Sequence, residues 1–195
     1  MSKSYFEPGR ELPVFGEYDV VVAGGGTAGM IAGIAAARNG AKTLVIERMG
    51  YLGGQFTGFM NTSWTCSDQL KRCVGGIAYE FFKKIEAAGG VENPNYDKDA
   101  YILYDSETAK YVITEMYEQQ ENLDALYLTM VTKAIMDGNK LSGLIIENKS
   151  GRQVVFAKQF IDCTGDADLL AFSGSHYEEL PVEDYHPASL IAKIS

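Results

Sequence analysis

Histidine, cysteine, proline and basic side chains are all scarce in this 195-residue chain. The only histidines, His176 and His186, fall near its end, where surface positions are expected. Three cysteines (Cys66, Cys73, Cys163) are an odd number, and the Cys66-x6-Cys73 spacing fits no standard zinc or redox motif. No metal centre is therefore expected, and Cys66 and Cys73 read as structural thiols in a reducing, cytoplasmic setting. Residues 1–16 contain Glu7, Arg10 and Glu11 and lack the apolar core of a secretion signal. Lys and Arg total 17 against 26 Asp and Glu, a formal net charge of −9. That surface repels phosphate backbones, which argues against nucleic acid or an anionic membrane as the main partner. Residues 20–37 form an uncharged, largely apolar run, and a triple glycine breaks it. It reads as strand, turn and helix, not as a membrane span.

What the chain has in quantity is apolar residues (46%) and glycine (21 residues), enough for one ordinary domain and its core. Asp19-Val20-Val21-Val22-Ala23 is a β-branched run with the pattern of a strand buried on both faces. Gly24-Gly25-Gly26 ends it, a helix is predicted over 27–39 with Gly40 closing it, and residues 42–47 form a second apolar strand. Strand, glycine turn, helix and strand in so short a space make a βαβ unit with parallel strands. Residues 50–76 look irregular, a helix is predicted over 76–88, and 89–104 reads as loop. The next helix is capped by Asp105 or Ser106 and carries Ala109, Val112, Ile113, Met116 and Tyr117 on one face. Residues 127–136, 141–147 and 154–157, parted by Asp137-Gly138-Asn139 and Lys149-Ser150-Gly151, read as an antiparallel three-stranded meander. A further strand, 159–163, is expected after it.

Three glycine signals carry chemistry. Gly24-x-Gly26-x-x-Gly29 opens a helix directly after a strand. Its glycines allow the tight turn, the approach of a pyrophosphate to the backbone, and close packing of helix on strand. The helix start then offers N–H groups and the positive end of its dipole to phosphate. Glu47 ends the next strand, placed to accept hydrogen bonds from a ribose diol. A ligand-free glycine turn would leave Glu47 unexplained. Gly50-Tyr51-Leu52-Gly53-Gly54-Gln55 is a second backbone cradle, and Cys163-Thr164-Gly165-Asp166-Ala167-Asp168 joins a strand to a helix. A Gly-Asp pair there can bring an N–H and a carboxylate to a polyol, beyond its role as a helix cap. Trp64 and the tyrosines at 101, 104, 111 and 117 read as core or rim residues.

Taken together, Gly24 to Gly29, Glu47 to Gly54, and the stretches 143–152 and 161–168 resemble the FAD-dependent oxidoreductases of the two-dinucleotide-binding-domain type. More narrowly they resemble the group related to fumarate reductase flavoproteins and FixC-like proteins. The resemblance implies an α/β, Rossmann-like FAD-binding domain with a parallel sheet, a βαβ unit and the meander. It implies that Gly24, Gly26, Thr27, Ala28 and Gly29 hold the pyrophosphate of FAD, and that Glu47 with Arg48 beside it meets the adenosine ribose. Gly54 and Gln55 would contact the cofactor on the far side, and Val131, on a strand preceding the meander, would bind adenine through its backbone. Gly165 and Asp166 would meet the pyrophosphate or ribityl chain. The chain departs from the family pattern Ala-Thr-Gly-Asp-Gly-Asp at Cys163 and Ala167.

The resemblance also divides the chain into an arm (1–16), an FAD-binding domain (17–180), and the start of a substrate domain (181–195) that is otherwise absent. The function expected is hydride transfer with a small organic substrate. A second polypeptide, a C-terminal fragment or a homo-oligomer would complete the substrate site. Catalytic residues stay unassigned. The rival readings are a non-catalytic flavin- or nucleotide-binding subunit, and a NAD-dependent dehydrogenase whose nicotinamide site is not located.

Overall fold

The computed structural model describes residues 4–58, 62–64, 67, 69, 71–92, 95–96 and 101–185. Cys66, Asp68, His186 and the remainder of 186–195 lie outside the described residues.

The chain opens with strand β1 (Val14–Ala23), helix α1 (Thr27–Arg38) and strand β2 (Thr43–Ile46). β1 and β2 pair in parallel, Val20 opposite Thr43 through Ala23 opposite Ile46, which is the expected βαβ unit. The β-branched run is continuous because both faces of β1 are covered. Val22 packs with Met30, Ile34 and Val45 on the helix side, while Val21 and Ala23 join Leu44, Leu144 and Val155 on the other. Val21, Val22 and Ala23 are fully buried. Each valine buried this way is worth about 1.5–3 kcal/mol.

β1 starts earlier than the apolar run suggests: residues 14–16 extend it beside Val154 and Val155 of strand β9 (Gly151–Asp162). A second difference concerns β9 itself. The strands expected at 154–157 and 159–163 are one strand of 12 residues. No break is needed because β9 changes partner along its length. Its first half pairs antiparallel with β8 (Lys140–Asn148), and from Val154 onward it runs parallel to β1. The first meander strand, expected over 127–136, starts later, and a separate strand that the sequence reading lacks comes before it. β6 (Leu123–Leu126) lies parallel to β2, and β7 (Met130–Asp137) pairs with β8. The chain turns between them at Leu128, whose φ of 51° ends the parallel pairing. Val131 therefore stands in the first strand of the meander and does not precede it. The six strands order as β6-β2-β1-β9-β8-β7.

The stretches read as irregular or loop contain short elements. Helix α2 (Gln55–Gly58) follows the second glycine cradle, and β3 (Thr62–Trp64), β4 (Val91–Glu92) and β5 (Tyr101–Tyr104) form a small antiparallel sheet, order β3-β5-β4. Strands of two to four residues show no alternation long enough to detect. Helices α3 (Gly76–Ala87) and α4 (Ser106–Glu118) fall where expected. Asp105 is the cap of α4, accepting from the Thr108 N–H at 2.8 Å. Phe56 of α2 stacks on Tyr104 with ring centroids 4.3 Å apart and meets Phe81 and Phe82 of α3, so α2 is fastened to this helical layer. A five-residue helix, α5 (Asp168–Phe172), follows β9. Tyr117 is core as expected, Tyr111 is exposed, and so is His176. No helix among the described residues is long and apolar enough to cross a membrane.

Helix α1 lies so close to its neighbours that a Cβ on Gly33 would stand 2.6 Å from Val45 Cγ2 and 2.7 Å from the Tyr117 hydroxyl. Gly33→Val should cost about 1–3 kcal/mol through overpacking, read as a lower urea midpoint with an unchanged slope. Burial also keeps the Tyr104 and Tyr117 phenols protonated well above their ordinary value of 10. Because the folded values are raised, the stability these groups confer is whole below pH 10 and lost as pH climbs through them. In alkaline titration their tyrosinate absorbance should emerge only together with unfolding.

Candidate functional site

The carboxyl ends of three parallel strands meet at one edge of the sheet, with Ala23 of β1 level with Ile46 of β2 and Asp162 of β9. The main chain keeps the ladder closed just beyond: the Gly24 N–H donates to the Ile46 carbonyl (2.9 Å), and the Cys163 N–H to the Ala23 carbonyl (2.8 Å). β1 is flanked on one side by the strand that follows it through α1 and on the other by a strand from the far end of the chain. Open α/β sheets bind ligands at such a reversal of strand order.

A cleft of about 1290 Å³ opens there. Pockets for drug-sized ligands run roughly 300–1,000 Å³, so this one has room for a larger molecule. Of the twelve residues singled out in the sequence, ten line it: Gly24, Gly26, Thr27, Ala28, Glu47, Arg48, Gly54, Gln55, Val131 and Gly165. Gly29 lies beneath the lining, buried in the first turn of α1. Asp166 is exposed and is not brought into the lining; its neighbours Asp162 and Asp168 are. Tyr51 and Thr164, quoted within the glycine motifs but given no role there, also line the cleft, as do Met49, Thr129, Met130 and Leu170. Asp162 falls inside the strand expected over 159–163, and the structure ends that strand on it. Thr129 and Met130 carry no motif and enter only through the fold.

The glycines of the first loop divide their work. Gly24 has φ +94°, and a Cβ on it would meet the Cys163 carbonyl oxygen at 2.3 Å. A Cβ on Gly29 would stand 1.8 Å from the Gly24 carbonyl oxygen. Both positions exclude a side chain for packing reasons. Gly26 differs: nothing lies within 4 Å of where its Cβ would be, and its backbone conformation is an ordinary extended one. Its bare backbone faces the cleft. The start of α1 has no side-chain cap and no acidic residue in its first turn, and Thr27 and Ala28 line the cleft. Unclaimed N–H groups and the positive end of the helix dipole therefore face open space, which suits an anion.

The second glycine pair docks against the first loop. The Gly53 N–H donates to the Gly25 carbonyl (2.8 Å), and the Thr27 hydroxyl donates to the Gly53 carbonyl (3.1 Å). A Cβ on Gly54 would touch the Gly26 Cα at 2.9 Å. Gln55 then opens α2 at the rim.

Glu47 is only 5% exposed. Its Oε2 accepts the Gly25 N–H at 2.8 Å and its Oε1 accepts the Met49 N–H at 2.6 Å. The carboxylate thus ties the first glycine loop to the turn after β2. A carboxylate has about four acceptor sites, so two remain for a ligand at the cleft wall. The same turn holds the β6–β7 connection, where the Thr129 N–H donates to the Glu47 carbonyl and the Leu128 N–H to the Met49 carbonyl. Arg48 is exposed, lines the cleft, and enters no ion pair among the described residues. On the opposite wall Asp162 accepts from the Thr164 N–H and hydroxyl and from the Leu170 N–H. The Thr164 hydroxyl in turn accepts the Asp168 N–H at 2.8 Å, so this wall is held by its own side chains. Burial, and then Asp162, push the Cys163 thiol up. The Cys163 Cβ packs close to Gly29, and the residue also lines the cleft.

An anion cradle at a helix start, a buried acid on the next strand end and a long cleft at a strand-order reversal define a Rossmann-like dinucleotide-binding domain. The chain belongs to the FAD dependent oxidoreductase family, which it matches over residues 19–185. Its fold is similar to THI4 of Thermovibrio ammonificans, with a TM-score of 0.57 and 20% identity over 80% of this chain and 61% of that protein. It is similar also to a flavocytochrome c3 fumarate reductase, with a TM-score of 0.54 and 12% identity over 76% of this chain and 34% of that one. A stretch of 45 residues, 23% of this chain, is 53% identical to the dihydrolipoyl dehydrogenase of Trypanosoma brucei brucei and covers 9% of that enzyme. The chain thus spans less than two thirds of the length of each of these proteins.

The cofactor of the family is FAD, and the residues present fit it: an uncapped helix start over a bare Gly26 for the pyrophosphate, and the residual acceptor sites of Glu47 for a ribose diol. Glu47→Gln should set an amide N–H₂ against one of two backbone donors in a buried place. A stability loss of about 1–3 kcal/mol is expected, measured by urea denaturation of the cofactor-free protein.

Proposed function

We propose that this chain is the FAD-binding part of a flavin-dependent oxidoreductase that exchanges hydride with a small organic substrate. The cofactor would lie extended along the cleft. Its pyrophosphate would accept from the N–H groups at Gly26, Thr27 and Ala28, and its adenosine ribose would be held by Glu47 with Arg48 alongside. Val131 would meet adenine through its backbone, while Gly165 would face the ribityl side, with Gly54 and Gln55 across the cleft. FAD, when bound, supplies the two-electron chemistry; the protein supplies position and electrostatics. The single observation that carries this reading is Gly26, where an uncapped helix start and a side-chain-free backbone face open space.

We also propose that the substrate pocket is completed by other polypeptide, either a second chain or more of a longer protein. This rests on the spans of the proteins compared above, and on a lining whose residues gather around the first glycine loop. The odd cysteine number and the lack of an apolar secretion-signal core in residues 1–16 support a reducing, cytoplasmic setting.

Since a Cβ at Gly26 meets nothing within 4 Å and the cleft lies beside it, Gly26→Glu should leave the fold intact while setting a carboxylate against the pyrophosphate. FAD affinity is expected to fall at least about a hundredfold, with an unchanged urea midpoint for the cofactor-free form. The measurement is the visible flavin spectrum of the purified variant beside the wild type. Equal flavin content in both would refute the placement of the pyrophosphate. Wild-type protein with bound flavin that no donor reduces would instead support a non-catalytic flavin-binding subunit. Full turnover by the chain alone would overturn the need for further polypeptide.

A further inference from the structure

One buried side chain touches the backbone of α1 directly behind the anion cradle without itself reaching the cleft. Tyr117, near the end of α4, is 5% exposed, and its hydroxyl donates to the Met30 carbonyl at 2.9 Å. A second, long contact of 3.5 Å reaches the Gly29 carbonyl. Helix carbonyls are already used by the ladder, so a phenol added there is a surplus donor and not the repair of an orphan. Burial holds the phenol well above its usual range, so it remains a donor throughout neutral pH.

The peptide units it touches lead to the cleft. The Met30 carbonyl shares its peptide with the Ile31 N–H, which in the helical ladder donates to the Thr27 carbonyl. That peptide carries the Ala28 N–H, which lies at the cleft. In parallel, the Gly29 carbonyl shares its peptide with the Met30 N–H, which donates to the Gly26 carbonyl at 2.9 Å, and that peptide carries the Thr27 N–H. Each donor in such a chain polarises the next, strengthening it by about 10–30% per bond.

We infer that Tyr117 is a positioning residue for the anion cradle, sharpening the Thr27 and Ala28 N–H groups through two short hydrogen-bond relays that begin at its hydroxyl. The inference rests on the FAD reading of the cleft. It states that the helix start is tuned for anionic ligands by a side chain about 90 residues away in the sequence.

The test uses the full chain freed of flavin, titrated calorimetrically with ADP, which carries the pyrophosphate, and with adenosine, which lacks it. Tyr117→Phe keeps the ring and its packing. It should weaken ADP about two- to fivefold and leave adenosine unchanged. Tyr18→Phe is the control: it removes a phenol of β1, outside the cleft lining, that donates to Asp124 of β6, and the ratio of ADP to adenosine affinity should not move. An unchanged ratio in Tyr117→Phe, or an equal loss for both ligands, would overturn the inference and leave the FAD reading standing. Wild-type protein that binds neither FAD nor ADP would overturn the FAD reading and the inference with it.

Discussion

The contact on which the rest of the site depends is the one between Gly24 and Gly29. The Gly24 carbonyl oxygen occupies a place 1.8 Å from where any side chain on Gly29 would begin. Only with that Cβ missing can α1 start immediately above the end of β1. Every later property follows from the helix starting there. Its first N–H groups reach the cleft, Gly26 is left bare, and Gly33 can lie against Val45 and Tyr117. The helix can be held so close because β1 and β2 are buried on both faces, so the platform beneath it does not yield.

A second constraint acts from the other side of the sheet. β9 serves two partners, antiparallel to β8 and parallel to β1, without interruption. Its length carries Asp162 from the meander to the level of Ala23. The turn after it is then held by Asp162, Thr164 and the start of α5, which gives the cleft its second wall. Between the walls, Glu47 performs a structural task that its expected ribose contact does not suggest. It accepts two backbone N–H groups and so couples the first glycine loop to the turn after β2. The cradle and its acid are thereby one unit, and a ligand meets a site whose backbone is already arranged.

Long elements with a strong period were readable from the chain alone. α1 and α3 lie within a residue of their expected ends, and α4 is capped at Asp105, one of the two cap candidates. The elements that escaped are short, as in the small antiparallel sheet, or are defined by a change of partner. No local signal marks where β9 leaves β8 for β1, because the apolar pattern there is uninterrupted. Similarly, the parting of β6 from β7 at Leu128 contradicts the preference of a branched side chain for negative φ. Tertiary pairing overrides that preference, through the bonds from Leu128 and Thr129 to the turn after Glu47.

By itself the sequence determined the βαβ unit, the anion cradle at Gly24 to Gly29 and the acid at Glu47, because glycine spacing and strand-end position are local properties of the chain. Ten of the twelve site residues named from it, some of them through the family resemblance, line the cleft. Only the tertiary structure decided which acids at the end of β9 and after it line the cleft, Asp162 and Asp168 and not Asp166. It alone brought Thr129 and Met130 to the wall, and Tyr117 to the back of α1. Those choices depend on how a turn is wound and which strand lies beside which, and no spacing along the chain records either.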